Sequence, residues 1–230
     1  MFILTIICTL FVDMKKKYGD ESRFYRFLLE TCTKLVMFFG RIHVHATGLE
    51  KVPEGVKYML VGNHISNFDP IISWYVLDKS HLIFISKVEN FKWFMVGPLI
   101  HRNCFLGIDR SSPRQSVRTI MDAAKFIKDD KFSVGIYPEG TRNKTRETPL
   151  LPFHNGMFKV AQNAGCPIVV VTIKNSQDII KRFPWRSTDV YFDVTEVIPA
   201  SDVASSKSTA EIGDRVRNIM LKKLEEGFDE

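Results

Sequence analysis

Residues 58–77 read YMLVGNHISNFDPIISWYVL, an apolar run followed by a polar turn and a second apolar segment. Tyr58–Val61 has the length and composition of a buried strand. Asp69 and Pro70 predict the start of a helix over Pro70–Leu77, because a carboxylate can cap backbone N–H groups and proline tolerates the first helical position. The stretch therefore predicts a strand–turn–helix unit of an α/β protein.

The same alternation of short apolar runs with helical patterns continues along the chain. Further predicted strands are Leu82–Ile85, Cys104–Ile108, Ser133–Tyr137 and Ile168–Ile173, and further predicted helices are Pro113–Lys128 and Gly156–Ala164. Val190–Val197 predicts a partly exposed strand near a sheet edge, and Ser208–Gly227 predicts a charged, amphipathic closing helix. We expect an α/β fold whose mixed, largely parallel central sheet is flanked by helices.

The first 45 residues differ in character from the remainder of the chain. Residues 1–12 are almost wholly apolar, but a bilayer core requires about 20 apolar residues in a helix. The run also lacks the basic start and the small-residue cleavage site of a signal peptide. We predict a membrane-association segment over residues 1–45 and an α/β domain over residues 46–230.

A second apolar stretch, Phe24–Phe39, has helical spacing. Its polar positions are Arg26, Glu30, Thr33 and Lys34, and its apolar face is Phe24, Phe27, Leu28, Cys32, Leu35, Val36 and Phe39. Such a helix either docks on its own domain or lies in the plane of a membrane interface. The sequence leaves both interpretations open, and a true membrane span is the third.

The bulk composition restricts the class of protein and of partner. The 230 residues are 45% hydrophobic and 25% charged, which argues against long disordered regions. A net charge of +6 and a pI near 9.1 favour anionic partners, which include nucleic acid, anionic lipid and phosphorylated metabolites. Between Thr141 and Arg186, eight basic residues face only Glu147 and Asp178. This basic region predicts either a solvated face or a phosphate or membrane footprint.

The four cysteines, Cys8, Cys32, Cys104 and Cys166, lie far apart and close to no histidine cluster. This spacing predicts neither a disulfide framework nor a zinc site. We expect small core or interface residues, a reducing compartment that faces the cytosol, and no metal or cofactor.

His64 and Asp69 are the residues most suggestive of chemistry. A histidine at the end of a buried strand lies on the rim where α/β proteins build their sites. Taken singly, Asp69 predicts a helix cap and His64 a locally hydrogen-bonded histidine. Together, a carboxylate five residues on can fix which ring nitrogen carries the proton and can stabilise the charged imidazolium. The pair therefore predicts a general base.

This predicted base has no nucleophile of its own in the sequence. The chain contains no Gly-x-Ser-x-Gly motif, and no cysteine has the sequence context of an activated thiolate. We therefore expect the nucleophile to be a hydroxyl of the substrate, which attacks an acyl donor.

A second motif, YPEGTRN at residues 137–143, directly follows the predicted strand Ser133–Tyr137. Gly140 allows close backbone approach, Thr141 offers a hydroxyl, and Arg142 offers a planar fork suited to phosphate. As a bare turn the motif would be unremarkable. Its position at a strand end beside Arg142 predicts an anion site.

Taken together, H-x-x-x-x-D at residues 64–69 and P-E-G-T-R at residues 138–142 resemble the glycerolipid acyltransferase family. FLGIDR at residues 105–110 is similar to the second block of that family. PFHNGMF at residues 152–158 and CPIVVV at residues 166–171 are similar to its later blocks. The resemblance covers roughly residues 45 to 200.

The chain departs from the family pattern in two of these blocks. Val170 stands where a second proline is usual, and His154 and Asn155 stand where two lysines usually precede the glycine. Neither departure touches the predicted base.

The resemblance implies that His64 is the general base and that Asp69 orients it. It further implies that Arg110 contacts the phosphate of the acceptor. The residues implied to shape the acceptor site are Glu139, Gly140, Thr141 and Arg142. Lys87 is either a further phosphate contact or a solvated lysine at a strand end.

The resemblance also implies the reaction and its place. The donor would be the thioester of an acyl carrier protein or of coenzyme A, and the acceptor the sn-2 hydroxyl of 1-acylglycerol-3-phosphate (lysophosphatidic acid). The product, phosphatidic acid, would serve phospholipid biosynthesis. The enzyme would be peripheral or monotopic on the anionic cytoplasmic face of the cell membrane.

Several alternatives remain open at this stage. The acceptor could be a lyso-ornithine lipid, another lysophospholipid or glycerol 3-phosphate. The chain could also be a non-catalytic lipid-binding module on the same fold, or a hydrolase if water replaces the acceptor. Nucleic acid is not an expected partner, because no binding motif accompanies the high pI.

Overall fold

Seven strands form one sheet in the computed structural model, which describes residues 1–145 and 147–228. Arg146 of the basic region lies outside the described residues. The strands are β1 (Ile42–Thr47), β2 (Met59–Gly62), β3 (Leu82–Lys87), β4 (Leu106–Ile108), β5 (Ser133–Ile136), β6 (Ile168–Lys174) and β7 (Thr188–Ile198). Their order is β1-β7-β6-β2-β5-β3-β4, and neighbours are parallel except for β6 and β7. The predicted mixed, largely parallel sheet is confirmed.

Helices cover both faces of the sheet. They are α1 (Phe2–Leu10), α2 (Arg23–Phe39), α3 (Asp69–Val76), α4 (Val96–Arg102), α5 (Pro113–Lys128), α6 (Lys159–Ala164), α7 (Ile179–Arg182), α8 (Ala200–Ser205) and α9 (Thr209–Glu226). Successive residues of a strand point to opposite faces, so Met59 and Val61 pack against α5, α6, α8 and α9. Leu60 packs on the other face, with α2, α3 and α7. Burial on both faces explains why the central strands are continuous apolar runs.

Most predicted elements agree with the structure to within about two residues. The predicted helix Pro113–Lys128 is α5 without change, and the closing helix is α9. Gly156–Ala164 differs, because a 3-10 turn occupies residues 155–158 before α6 begins. The edge strand β1 and helix α4 were not predicted. β1 alternates apolar residues with histidines, and α4 contains glycine and proline, which are poor helix formers.

The polar face predicted for α2 is wrong at two positions. Arg26 and Thr33 are buried, whereas Phe24 and Phe27 are exposed. Burial of Arg26 is tolerated because its guanidinium pairs with Glu21 and lies 4.3 Å from the ring centroid of Trp74. The helix therefore docks on its own domain and still exposes aromatic side chains.

The N-terminal segment is continuous with the sheet. β1 pairs with β7 across residues 42–47, and Met37 packs in the same apolar cluster as the central strands. The division between residues 45 and 46 lies inside β1 and stays a prediction. Across residues 1–145 and 147–228, no helix combines the length and the apolar character needed to cross a membrane.

The turn after β1 provides a test of the local packing. Gly48 has φ +72°, and a Cβ there would lie 2.4 Å from the carbonyl oxygen of Val194 in β7. Gly55 has φ +68°, but no atom lies within 4 Å of its added Cβ. We expect Gly55→Ala to cost about 1 kcal/mol for the left-handed backbone. Gly48→Ala should lower the free energy of unfolding by about 2 kcal/mol more, because the extra atom meets main chain.

Urea unfolding of the two variants measures this difference directly. Equal unfolding midpoints for Gly48→Ala and Gly55→Ala would contradict the contact with β7.

Candidate active site

The loop between β2 and α3 brings the imidazole of His64 onto the carboxylate of Asp69. His64 Nδ1 lies 2.8 Å from Asp69 Oδ2, and the Asp69 side chain is fully buried. The same oxygen accepts the backbone N–H groups of Ile65 at 2.8 Å and Ser66 at 2.7 Å. The expected capping of α3 by Asp69 is therefore wrong, because the carboxylate is turned back into the preceding loop.

Strand β6 holds this loop from the other side through two contacts that were not predicted. Ser176 is buried just beyond β6, and its hydroxyl donates to Asp69 Oδ1. The amide of Asn63 donates to the carbonyl of Ile173 at 2.9 Å and accepts its N–H at 2.8 Å. In the sequence, Asn63 directly precedes His64, and Ser176 lies a few residues after the predicted strand Ile168–Ile173. Nothing in the sequence pairs residues about 110 positions apart.

The main chain of His64 is fixed by the segment that follows β5. Its N–H donates to Glu139 Oε1 at 2.6 Å, and its carbonyl accepts the N–H of Asn143 at 2.6 Å. Glu139 Oε2 accepts the N–H of Leu151 at 2.9 Å. Burial raises the pKa of the Glu139 carboxyl, and the N–H groups of His64 and Leu151 oppose that rise. Glu139 therefore braces the histidine loop.

Tyr137 covers one face of the imidazole. The two rings stack with their centroids 4.7 Å apart and their planes 22° apart. The Tyr137 hydroxyl lies 3.1 Å from Ser73 Oγ, and burial raises the pKa of Tyr137 well above its usual value. The phenol thus stays neutral at physiological pH and acts as a fixed wall beside His64. Tyr137 was not among the predicted site residues.

Arg110 of FLGIDR lies against Gly140 of YPEGTRN, so the structure brings these two motifs together. Gly140 has φ +69°, and a Cβ there would lie 2.7 Å from both terminal guanidinium nitrogens of Arg110. Glycine is therefore favoured at this turn by its conformation, and it lets the guanidinium of Arg110 lie against the main chain. Partial burial lowers the pKa of Arg110, with Glu89 opposing, but a guanidinium remains charged at neutral pH.

One cavity of about 1380 Å³ connects these groups. The predicted site residues that line it are His64, Lys87, Arg110, Gly140, Thr141 and Arg142. Glu139 is buried, with its carboxylate held by main-chain N–H groups, and is not among the lining residues. Apolar side chains of α2, α3, α4 and α5 line the remainder of the cavity, for example Val36, Trp74 and Leu99. A cavity with a cationic part and a large apolar part suits an amphiphilic ligand.

The histidine is oriented for proton transfer within this cavity. A carboxylate can only accept, so the contact with Asp69 places the ring proton on Nδ1. Across the described ranges, 1–145 and 147–228, the other ring nitrogen, Nε2, has no hydrogen-bond partner. The His64 side chain retains 18% of its exposure. An accessible Nε2 lone pair beside a buried carboxylate is the arrangement of a general base.

Two of the cysteines have environments that disfavour the thiolate. Burial raises the pKa of Cys104 to about 11 and that of Cys166 to about 12. Both thiols are therefore protonated at neutral pH and are poor nucleophiles.

A model of the family described as Acyltransferase matches residues 43–174, more than half of the 230-residue chain. The chain belongs to the Acyltransferase family. The matched region contains all of the predicted site residues, from His64 to Arg142. The family resemblance inferred from the motifs is confirmed.

Several relatives of this acyltransferase carry the same name. The 1-acyl-sn-glycerol-3-phosphate acyltransferase of Borreliella burgdorferi is 29% identical, over 86% of this chain and 78% of the relative. The Haemophilus influenzae protein of that name is 27% identical, over 98% of this chain and 94% of the relative. The crystal structure of the 1-acyl-sn-glycerophosphate acyltransferase PlsC from Thermotoga maritima superposes with a TM-score of 0.73. The superposition covers all of this chain and 90% of the Thermotoga maritima chain, at 19% sequence identity. The two chains therefore share a fold.

Ser176 tests how far the base depends on its support. Ser176→Ala removes a donor to Asp69 without touching the imidazole, so kcat for acyl transfer should fall about tenfold while KM stays unchanged. Ser133→Ala is the matched control, because Ser133 is equally buried and its hydroxyl accepts the N–H of Tyr58, away from Asp69. Steady-state kinetics of the two folded variants give the comparison. Equal kcat values would assign Ser176 a purely structural role.

Proposed function

We propose that the chain is a 1-acyl-sn-glycerol-3-phosphate acyltransferase. It moves a fatty acyl group from a thioester to the sn-2 hydroxyl of lysophosphatidic acid and yields phosphatidic acid for phospholipid biosynthesis. The observation that carries this proposal is the contact of His64 Nδ1 with the buried carboxylate of Asp69, in one cavity with Arg110 and Arg142. The relatives that carry this name support the choice of acceptor.

His64 begins the reaction by taking a proton. Its Nε2 accepts the proton of the sn-2 hydroxyl, and Asp69 stabilises the imidazolium that forms. The hydroxyl oxygen attacks the thioester carbonyl carbon, and a new ester C–O bond replaces the C–S bond. The leaving thiolate takes up the proton from the imidazolium, which regenerates the neutral base. Tyr137 and Asp69 together keep the ring in position throughout.

The cations of the cavity account for a phosphorylated acceptor. Arg110 and Arg142 each offer a planar fork of donors that matches phosphate geometry. Lys87 is exposed at the end of β3 and lines the same cavity, where it supplies a further positive charge. Gly140 keeps the main chain close to Arg110 and leaves room for the ligand. These residues bind the phosphate, and Thr141 adds a hydroxyl beside them.

The apolar part of the cavity accommodates acyl chain. Its walls come from α2, α3, α4 and α5, and burial of each methylene group in such walls contributes about 0.8 kcal/mol. The donor is the thioester of an acyl carrier protein or of coenzyme A. Either presents the same acyl group to this cavity.

The N-terminal helices are the membrane-association segment of the proposed enzyme. The side of α1 buried against the protein is polar, with Thr5 and Thr9, while Ile3, Ile7 and Leu10 point outward. This reverses the pattern of a helix packed on a soluble core. The apolar side is accommodated by the acyl region of a membrane interface.

Further apolar and basic residues support the same placement. Phe24 and Phe27 on α2 are 48% and 56% exposed, and Lys15, Lys16 and Lys17 follow α1. The three lysines attract anionic headgroups. We place the enzyme on the cytoplasmic face of the cell membrane as a peripheral or monotopic protein.

His64→Ala tests the proposed base. Loss of general-base catalysis should lower kcat by about 10²–10⁴-fold, because no other group takes the hydroxyl proton. His45→Ala is the control, since His45 is an exposed histidine that pairs with Asp189 on β7. Transfer of labelled acyl groups to lysophosphatidic acid measures both variants. A folded His64→Ala protein with a near-normal rate would refute the assignment.

Arg110→Gln and Arg142→Gln test the proposed phosphate site. Each should raise KM for lysophosphatidic acid about tenfold or more and leave KM for the acyl donor nearly unchanged, because charged hydrogen bonds to the acceptor are lost. Arg118→Gln, an exposed substitution on α5, serves as the control. Equal losses on donor and acceptor would indicate a structural role. A panel that includes lyso-ornithine lipid and glycerol 3-phosphate identifies the acceptor in the same assay.

A further inference from the structure

A short surface segment outside the N-terminal helices exposes large apolar side chains. Ile180–Arg186 reads IKRFPWR, and all seven residues are exposed. Trp185 is 86% exposed, Ile180 68% and Phe183 52%. Side chains of this size contribute much more when buried, so a cluster of them on a surface indicates a contact partner.

The same segment is strongly basic. Lys181, Arg182 and Arg186 flank the apolar residues Phe183–Trp185, and the run contains no acidic residue. Asp178 just before it pairs with Lys181 at 3.4 Å. The segment is the C-terminal end of the basic region between Thr141 and Arg186, for which the sequence predicts either a solvated face or a phosphate or membrane footprint.

The fold places this segment beside the C-terminal end of α2. A guanidinium nitrogen of Arg41 lies 3.5 Å from the carbonyl oxygen of Trp185, and the N–H of Thr188 donates to the carbonyl of Arg41 at 3.0 Å. Phe38 and Phe39, 75% and 61% exposed, directly precede this junction. Two exposed aromatic pairs, Phe38 with Phe39 and Phe183 with Trp185, therefore lie at one corner of the protein although they are far apart in sequence.

This corner adjoins the mouth of the active-site cavity. Ile180 lines the cavity together with Thr33 and Val36 of α2, although most of its own surface is exposed. A residue that is both exposed and part of the lining lies on the rim. The rim near α2 and α7 therefore leads into the same cavity as His64.

We infer that Ile180–Arg186 is a second membrane-contacting segment, which together with the end of α2 holds this rim of the cavity against an anionic bilayer. Tryptophan and phenylalanine beside cations suit the headgroup region, where the ring is partly buried and the charges meet anionic lipid. The inference rests on the proposed function, since it assumes an acceptor drawn from the membrane. It adds a contact that is separate from α1 and from Phe24 and Phe27 near the start of α2.

Vesicle binding of the full chain tests the apolar half of this inference. Phe183→Ser/Trp185→Ser should lower binding to vesicles of phosphatidylcholine and phosphatidylglycerol about tenfold. The matched control is Val117→Ser/Met121→Ser, because these residues are 57% and 60% exposed on α5, across the sheet from α7. Equal binding of the two double variants would overturn the inference.

A second variant tests the contribution of the basic residues to this contact. Lys181→Gln/Arg182→Gln/Arg186→Gln should abolish most of the preference for vesicles that contain phosphatidylglycerol over vesicles of phosphatidylcholine alone. An unchanged preference would contradict the charge contact.

Tryptophan fluorescence reports the contact itself. Of the three tryptophans, Trp74 is buried, and Trp185 is far more exposed than Trp93. Brominated lipids should quench the wild type, and Trp185→Phe should lose most of that quenching. Equal quenching in both would show that Trp185 does not reach the lipid, and would overturn the inference.

Turnover separates failure of this inference from failure of the proposed function. With short-chain lysophosphatidic acid dissolved as monomers, Phe183→Ser/Trp185→Ser should match the wild type, and with long-chain acceptor in vesicles it should be slower. Wild type inactive on both acceptors would overturn the proposed function, while the binding and quenching results still decide the membrane contact. Normal vesicle turnover with normal vesicle binding in the variant would overturn the inference alone. Leu10→Ser/Phe11→Ser, at the C-terminal end of α1 and the residue after it, should lower vesicle binding separately and so tests the N-terminal segment.

Discussion

The buried carboxylate of Asp69 is the interaction on which the site depends. Removing a carboxylate from water is costly unless hydrogen bonds replace its hydration. Here the replacement comes from the imidazole of His64, from the main chain of the same loop and from Ser176 beyond β6. These contacts hold the loop, the residues beyond β6 and the imidazole in one mutual arrangement. Fold and chemistry are therefore fixed by the same set of contacts.

The sequence was sufficient for most of the fold and for the centre of the site. Continuous apolar runs predicted the inner strands because both of their faces are covered, and the spacing of His64 and Asp69 predicted their contact. Local sequence patterns did not predict the burial or the contacts of a side chain where its partners lie far away in the chain or its burial depends on tertiary packing. Arg26 is buried through Glu21 and Trp74, and Ser176 meets Asp69 across 107 positions. The strand β1 is specified by its pairing with β7 more than by its own alternating residues.

Family membership and geometry constrain different parts of the function. The match over residues 43–174 establishes an acyltransferase, and the fold shared with the Thermotoga maritima protein agrees with it. The cavity then relates the chemistry to the substrate, because Arg110 lies against Gly140 and apolar side chains of α2 line the same cavity as His64. A phosphorylated lipid has a charged group that suits the arginines and a chain that suits the apolar walls.

The brace between Glu139 and His64 has an evolutionary consequence. The donor to Glu139 Oε1 is the main-chain N–H of residue 64, which every residue except proline possesses. No exchange of side chain at position 64 can therefore compensate for a change at position 139. The contact depends on the side chain at position 139 but not on the side chain at position 64, so substitutions at Glu139 would lack a second-site suppressor at position 64. They would also disturb catalysis, although Glu139 does not line the cavity.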